Sequence, residues 1–282
     1  MKFSRKQSVV ILLIAAMLFG FTLFQASWLA DKPIGRPKLI ADRAAEPVRD
    51  ASGCVASANS GFGGTTVGPD IAALQVAAGS GASAIRVTTQ LIGGVLRVAP
   101  QFQSDCATDK VRASAEVTDA VAGITKPELI WQVQGSEQAK LLLTELASIP
   151  RAAMRSIVLG DDAALEAIRQ AQPDIRAFSV NSARACASDY GVSGAWGGVP
   201  ASCKNSTMLL KVNELGFTLW GWPNRFLARM QNASVRLIIA EDVVDGQIKG
   251  LTDVNQYGDI ANSYNGYIWV DNIEELGPAL RR

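Results

Sequence analysis

The chain has 282 residues, 48% hydrophobic and 19% charged, with a formal net charge of +1. That is enough for one large core, and a near-zero charge without polybasic tracts excludes the electrostatic footprint of a nucleic-acid binder. It has no histidine, which excludes imidazole acid–base catalysis, His-type zinc sites and Ser-His or Cys-His nucleophile pairs, leaving oxygen-ligated Mg or Ca open.

The first six residues carry Lys2, Arg5 and Lys6, and an uncharged apolar run follows from Ser8 to Ala30. At about 1.5 Å per residue, a helix of this length spans a hydrocarbon core of roughly 30 Å. The run is longer than a signal-peptide core, and Trp28-Leu29-Ala30 makes no small-x-small cleavage site. Residues 1–30 are therefore read as an uncleaved transmembrane helix, single-pass in the inner membrane, with a cytoplasmic N-terminus. Residues 31–37, DKPIGRP, form a linker, and 38–282 form one domain facing the periplasm. The four cysteines, Cys54, Cys106, Cys186 and Cys203, suit an oxidising compartment and form no CxxC pair. Three pairings are open, and local order favours Cys54–Cys106 and Cys186–Cys203.

Residues 38–41, KLIA, predict a strand, and 52–69 a Gly/Ser/Thr-rich loop before a helix capped by Asp70 and ended by Gly79. Strands follow at 84–89 and 95–99 around Gly93-Gly94, and alternation puts Arg86 and Thr88 on one face. Further strands are predicted at 128–134, 155–160, 175–180, 207–212, 235–240 and 266–270. Helices are predicted from Ser136 to Ala147, from Asp161 to Ala171, around 224–231 and near 273–280. Short apolar strands alternating with helices predict an α/β fold, a (β/α)8 TIM barrel preceded by the transmembrane helix. An open doubly wound sheet is the alternative. No dinucleotide or P-loop glycine pattern supports a nucleotide site.

Residues 39–44, LIADRA, resemble the opening Leu-Ile-Ala-His-Arg-Gly of the glycerophosphodiester phosphodiesterase family, a group of TIM barrels among the phosphoinositide-phospholipase-C-like phosphodiesterases. Residues 70–100 are similar to the family's first helix, Gly-Ala turn, acidic strand and following strand, and DCATDKVRASAEVTDA (105–120) to the segment after its second catalytic histidine. ACASDYGVSGAWGGVPASCKNST (185–207), LWGWPNRFLARM (219–230) and NGYIWVDNIEELGP (265–278) resemble a membrane-attached bacterial subgroup. The resemblance covers about residues 38–280. It implies phosphodiester hydrolysis by two histidines and a carboxylate-held divalent cation. Carried across, the histidines fall on Asp42 and Pro100, and the metal-binding acids of the second strand on Arg86 and Thr88. The glutamate of a Glu-Asn-Thr motif falls near Gly68, and the third-strand acid and its neighbouring lysine near Gln132 and Gln134. Arg43 alone is retained. In the subgroup the segments matching Cys54 and Cys106 both carry cysteine, which supports that pairing.

The resemblance thus implies a pseudoenzyme. Arg86 either offers its guanidinium to a bound anion or pairs with Asp42 as a structural ion pair, and both readings stand. Arg43, Arg86, Thr88, Trp220 and Trp222 are the ligand-binding candidates, with Tyr257, Tyr264 and Tyr267 on the same rim. Asp42, Arg43 and Glu46 are the weak catalytic candidates. The expected protein is attached to the membrane, needs no cofactor, and binds a phospholipid head group or phosphorylated glycan, or scaffolds other envelope proteins. The alternative is an active phosphodiesterase using Asp42 and Mg or Ca.

Overall fold

The structure, a computed structural model, describes residues 5–42, 71–98, 114, 127–148, 154–216 and 219–280. Helix α1 (Arg5–Gln25) comes first, then β1 (Lys38–Ala41), α2 (Ile71–Ser80) and the hairpin of β2 (Ala82–Ile92) and β3 (Val95–Val98). Next come β4 (Glu128–Val133), α3 (Gly135–Ser148), β5 (Ser156–Gly160), α4 (Asp162–Ala171), β6 (Arg176–Phe178) and α5 (Val180–Ser193). The chain continues through β7 (Thr207–Lys211), α6 (Asn224–Asn232), β8 (Arg236–Ala240) and a small hairpin, β9 (Asp242–Val244) with β10 (Gln247–Lys249). It ends with α7 (Val254–Tyr257), β11 (Tyr267–Val270) and α8 (Ile273–Leu280).

Eight strands pair in the order β6-β5-β4-β2-β1-β11-β8-β7, and β3 lies antiparallel on β2. The ladders on this path are parallel. Among the described residues no ladder joins β6 to β7, so the barrel is nearly closed, with one seam. Its strands are apolar on both faces because both are buried. Ile40, Ala84, Ile130, Ile157, Leu209, Ile238 and Trp269 fill the lumen. Their neighbours Leu39, Ile85, Leu129, Val158, Leu210, Ile239 and Ile268 pack beneath the surrounding helices. In β2 the lumen parity of Ala84 continues through Arg86, Thr88 and Gln90, so polar groups enter the barrel there.

Helix starts follow local chemistry. The Asp161 carboxylate accepts the Ala164 N–H at 2.8 Å, fixing the start of α4. It also accepts the Gly135 N–H at 2.9 Å, tying the turn after β4 to the end of β5. Ser179 and Ser182 form a reciprocal capping box at the start of α5. A disulfide joins Cys186 in α5 to Cys203 ahead of β7, as the local pairing predicts and as an oxidising compartment permits. Cys54 and Cys106 lie outside the described residues, as do Arg43 and Glu46.

The N-terminal expectation needs correcting. Among the described residues no helix is long and apolar enough to cross a membrane. The uncharged run to Ala30 is not one continuous helix, because α1 stops at Gln25 and a 3-10 turn follows at Ser27–Leu29. Its last turn packs on the barrel. The Phe21 ring meets the Trp220 edge at 5.8 Å, and Arg229 lies over the Phe24 ring at 5.3 Å. Gln25 Nε2 donates to the carbonyls of Gly194 and Ala195 at 3.1 and 2.6 Å, and Ser27 Oγ accepts the Asn224 N–H at 2.8 Å. Earlier in the helix Val9, Leu12, Leu13, Met17 and Phe19 are all more than half exposed.

Candidate functional site at the barrel mouth

The C-terminal strand ends, where this architecture collects its ligands, hold one connected polar group. Asp42 follows β1 directly and is 5% exposed. Trp269 of β11 donates its indole N–H to Asp42 Oδ1 at 2.5 Å. Arg86 of β2 donates from Nη2 to Asp42 Oδ2 at 3.2 Å, while its Nε lies 2.7 Å from Oδ1. That second approach is a contact of opposite charges rather than an aligned hydrogen bond. Arg86 Nη1 donates to Gln132 Oε1 of β4 at 2.6 Å, and Gln132 Nε2 donates on to Gln247 Oε1 of the β9–β10 hairpin at 3.3 Å. The guanidinium is therefore engaged by a carboxylate on one edge and an amide on the other. The two charged side chains are only 13% and 7% exposed, so each depends on the other to be tolerated there.

Above this group lies a cavity of about 160 Å³. Gln132, Gln134, Asn181 and Gln247 face it with Arg86 and Trp269. The lining is rich in amides, which donate and accept hydrogen bonds but neither ionise nor shuttle protons near neutral pH. Thr88 Oγ1 and Gln90 Oε1, further along β2, are buried without a hydrogen-bond partner among the described residues. Around the rim, Arg184 holds Glu214 by two bonds of 2.5 and 2.6 Å, and Lys211 stands 3.7 Å from Glu214 and 3.5 Å from Asp242. Burial alone pushes the Glu214 carboxyl up, but the Arg184 bonds and the Lys211 N–H outweigh it and hold the group below the usual carboxylate range.

The structure thus joins Asp42 to Arg86 and places Thr88 on the same lumen face of β2. The tryptophans stand elsewhere. Trp220 donates its indole N–H to the Gly191 carbonyl at 2.7 Å, and Trp222 packs against Phe226 and Tyr264 at 5.6 and 6.4 Å. Neither lines the mouth cavity. The peptide between Trp222 and Pro223 is cis. Tyr264 is buried and Tyr267 begins β11, at the opposite end of the barrel from the mouth. Gln132 stands where the resemblance put the third-strand acid, whereas Gln247 and Trp269 are partners that sequence reasoning did not assign to the site. The Asp245-Gly246 turn after Val243-Val244 was the signal for the hairpin that carries Gln247.

No protein-family model and no curated protein sequence matches the chain. Solved structures do. A glycerophosphodiester phosphodiesterase from Agrobacterium tumefaciens superposes with a TM-score of 0.56 at 12% identity, covering 86% of this chain and 100% of that one. The glycerophosphoryl diester phosphodiesterase domain of an uncharacterised Mycobacterium tuberculosis protein gives 0.56 at 12%, covering 87% and 99%. A glycerophosphodiester phosphodiesterase from Parabacteroides distasonis gives 0.53 at 12%, covering 88% and 98%. The chain therefore has the TIM-barrel fold of the glycerophosphodiester phosphodiesterases. At this identity the likeness speaks for the fold, and the chemistry has to come from the site.

The divalent cation implied by the resemblance does not fit the described residues of the mouth. Among them no three His, Cys, Asp or Glu side chains converge. Asp42 is bound by a guanidinium and an indole N–H, and Asp161 is committed to two backbone N–H groups. A cation beside Asp42 would stand against the positive charge of Arg86.

Proposed function

We propose that this protein is a non-hydrolytic member of the glycerophosphodiester phosphodiesterase fold, attached to the inner membrane through α1 with its barrel in the periplasm, where it binds an envelope head group. The observation that carries this reading is the Arg86 guanidinium closed between Asp42 and Gln132. Those are the positions the resemblance assigns to a catalytic histidine and to metal-binding acids. An ion pair there replaces a cation with a fixed charge that is already neutralised, so nothing remains to polarise a phosphodiester strongly. The amide-lined cavity above it suits the hydroxyls of a glycerol or sugar head group better than a dianion, because its one guanidinium is occupied. The exposed apolar flank of α1 supports the membrane attachment, and the Cys186–Cys203 disulfide supports the compartment.

Turnover tests the proposal. Purified full-length protein in detergent, given glycerophosphocholine or glycerophosphoglycerol with and without Ca²⁺ or Mg²⁺, should release alcohol no faster than buffer. Metal-dependent release that Asp42→Asn abolishes would make the protein an active phosphodiesterase and end the pseudoenzyme reading.

A further inference from the structure

The opposite end of the barrel holds a second, larger cavity of about 460 Å³. Six strands contribute their first residues to it: Lys38 of β1, Glu128 of β4, Arg176 of β6, Thr207 of β7, Arg236 of β8 and Tyr267 of β11. One carboxylate faces three cations here. Glu128 is already engaged, accepting from Arg176 Nη2 at 3.1 Å and from the Tyr267 hydroxyl at 2.8 Å. Lys38 and Arg236 remain, each with its cationic centre 5.2 Å from the centroid of the Tyr267 ring. Among the described residues neither makes an ion pair with a carboxylate. A cation over a ring is an attraction of about 0.5–2 kcal/mol and leaves the N–H groups of the head free to donate.

Arg236 shows what this costs. Burial pushes its guanidinium below the ordinary arginine range and the like charge of Arg176 adds to the fall, while Tyr267 and Glu128 oppose it without cancelling it. The rim also carries Asn205 and Ser234, both at φ 55°, a left-handed backbone that glycine would adopt more easily. Asn205, Ser206, Ser234 and Asn265 line the same cavity as these two cations. A dianionic group would supply the countercharge that the chain itself withholds, and a phosphate accepts from a guanidinium fork in two places.

We propose that this floor cavity is a binding site for a phosphomonoester group, held by Arg236 and Lys38 and bordered by Asn205, Ser206 and Ser234. The site is independent of the mouth and of whether the mouth binds anything. The cavity is larger than a bare phosphate needs, so the phosphate arrives on an alcohol, either a soluble ester or a lipid head group.

Thermal melts of the full-length protein in detergent test the proposal, with inorganic phosphate and glycerol 3-phosphate titrated against chloride at constant ionic strength. A ligand that binds only the folded state raises the melting temperature saturably. Both probes should do so, and Arg236→Gln and Lys38→Gln should each weaken the apparent affinity at least tenfold. Gln247→Ala at the mouth should leave it unchanged. Lys38 is exposed at a strand start, so its variant keeps the test sharp even where Arg236→Gln fails to fold. Mixed micelles holding phosphatidic acid separate the two sources. Displacement of glycerol 3-phosphate assigns the site to a lipid head group, and its retention assigns the site to a soluble ester. A melting temperature indifferent to both probes overturns the proposal, as does an undiminished response in Lys38→Gln.

Discussion

The two ends of this barrel treat charge in opposite ways. At the mouth, Arg86 is matched to Asp42, Arg184 to Glu214, and Lys211 to Glu214 and Asp242. At the floor, one carboxylate serves three cations, and Lys38 and Arg236 rest on a tyrosine ring instead of an acid. Ligand sites in this architecture belong at the mouth and stability residues at the floor, and here the charges are divided the other way. The matched end keeps its charges for the fold and leaves only amides to a ligand, and the unmatched end retains unspent charge. The lesson is general. A buried pair reports what holds a fold together, whereas a surplus of one sign reports what the fold still lacks.

The contrast predicts a large asymmetry in stability. Arg86→Ala should cost about 3–5 kcal/mol in denaturant unfolding, because it strands the Asp42 carboxylate in a largely dry site. Pairing Arg86→Met with Asp42→Leu should recover most of that loss, since apolar groups of similar size can replace a buried ion pair. A near-native Arg86→Ala protein would show that the mouth pair is not structural. Arg236→Met is the counterpart at the floor. It removes a cation that among the described residues makes no ion pair with a carboxylate, so its stability should change by less than about 1 kcal/mol. A loss as large as that of Arg86→Ala would make the two ends alike and remove the contrast.

Titration sharpens the same comparison with smaller effects. Glu214 is held below its ordinary value of 4.5, so its contribution is present above that value and is lost as the pH falls through the folded-state one. Glu214→Gln should cost about 1 kcal/mol at neutral pH, the size expected of a partly exposed pair, and should flatten the acid limb of stability against pH. An unchanged acid limb would place the acid sensitivity elsewhere. The floor answers on the alkaline side. Burial pushes the Tyr267 phenol up to about 12, the neighbouring Glu128 adding and Arg236 opposing. Its contribution is complete below the ordinary value of 10 and is lost as the pH rises towards 12. Absorbance near 295 nm should show one phenol ionising last but for the buried Tyr264, and Tyr267→Phe should remove that step.

Much of the barrel was legible because its strands are apolar on both faces and are punctuated by Gly, Asp and Ser. The strand at 128–134 and the helix near 273–280 appear within one residue of their expected limits. β2 is longer than expected, Ala82–Ile92 instead of 84–89, because pairing with β3 from Thr89 to Ile92 extends it beyond its apolar run. Helix α5 was not foreseen. Its buried positions are Ala183, Cys186 and Tyr190, and a stripe of small residues carries little periodic signal. The Asp42–Arg86 contact was foreseen as one of two alternatives, since neighbouring strand ends bring those side chains together. The tryptophans were misplaced because they sit in the connection between β7 and α6, where alternation says nothing of direction. The floor went unread for a different reason. Its residues are strand starts, each ordinary alone, and only the circular order of the sheet gathers Lys38, Arg236 and Tyr267 around one space.

The docked end of α1 has a mechanical consequence. Phe21, Phe24, Gln25 and Ser27 are stitched to Gly194, Trp220, Asn224 and Arg229 by ring contacts and hydrogen bonds. The barrel is consequently splinted to the helix and does not dangle from it on a string. Whatever grips residues 9–19 also sets the azimuth and tilt of the barrel, so the mouth and the floor each face a fixed direction relative to that grip. Cutting the chain after Ala30 to free the barrel would tear out the splint, stripping the Trp220 ring of Phe21 and the Arg229 guanidinium of Phe24 and Gln25. A cut before Phe21 keeps both covered.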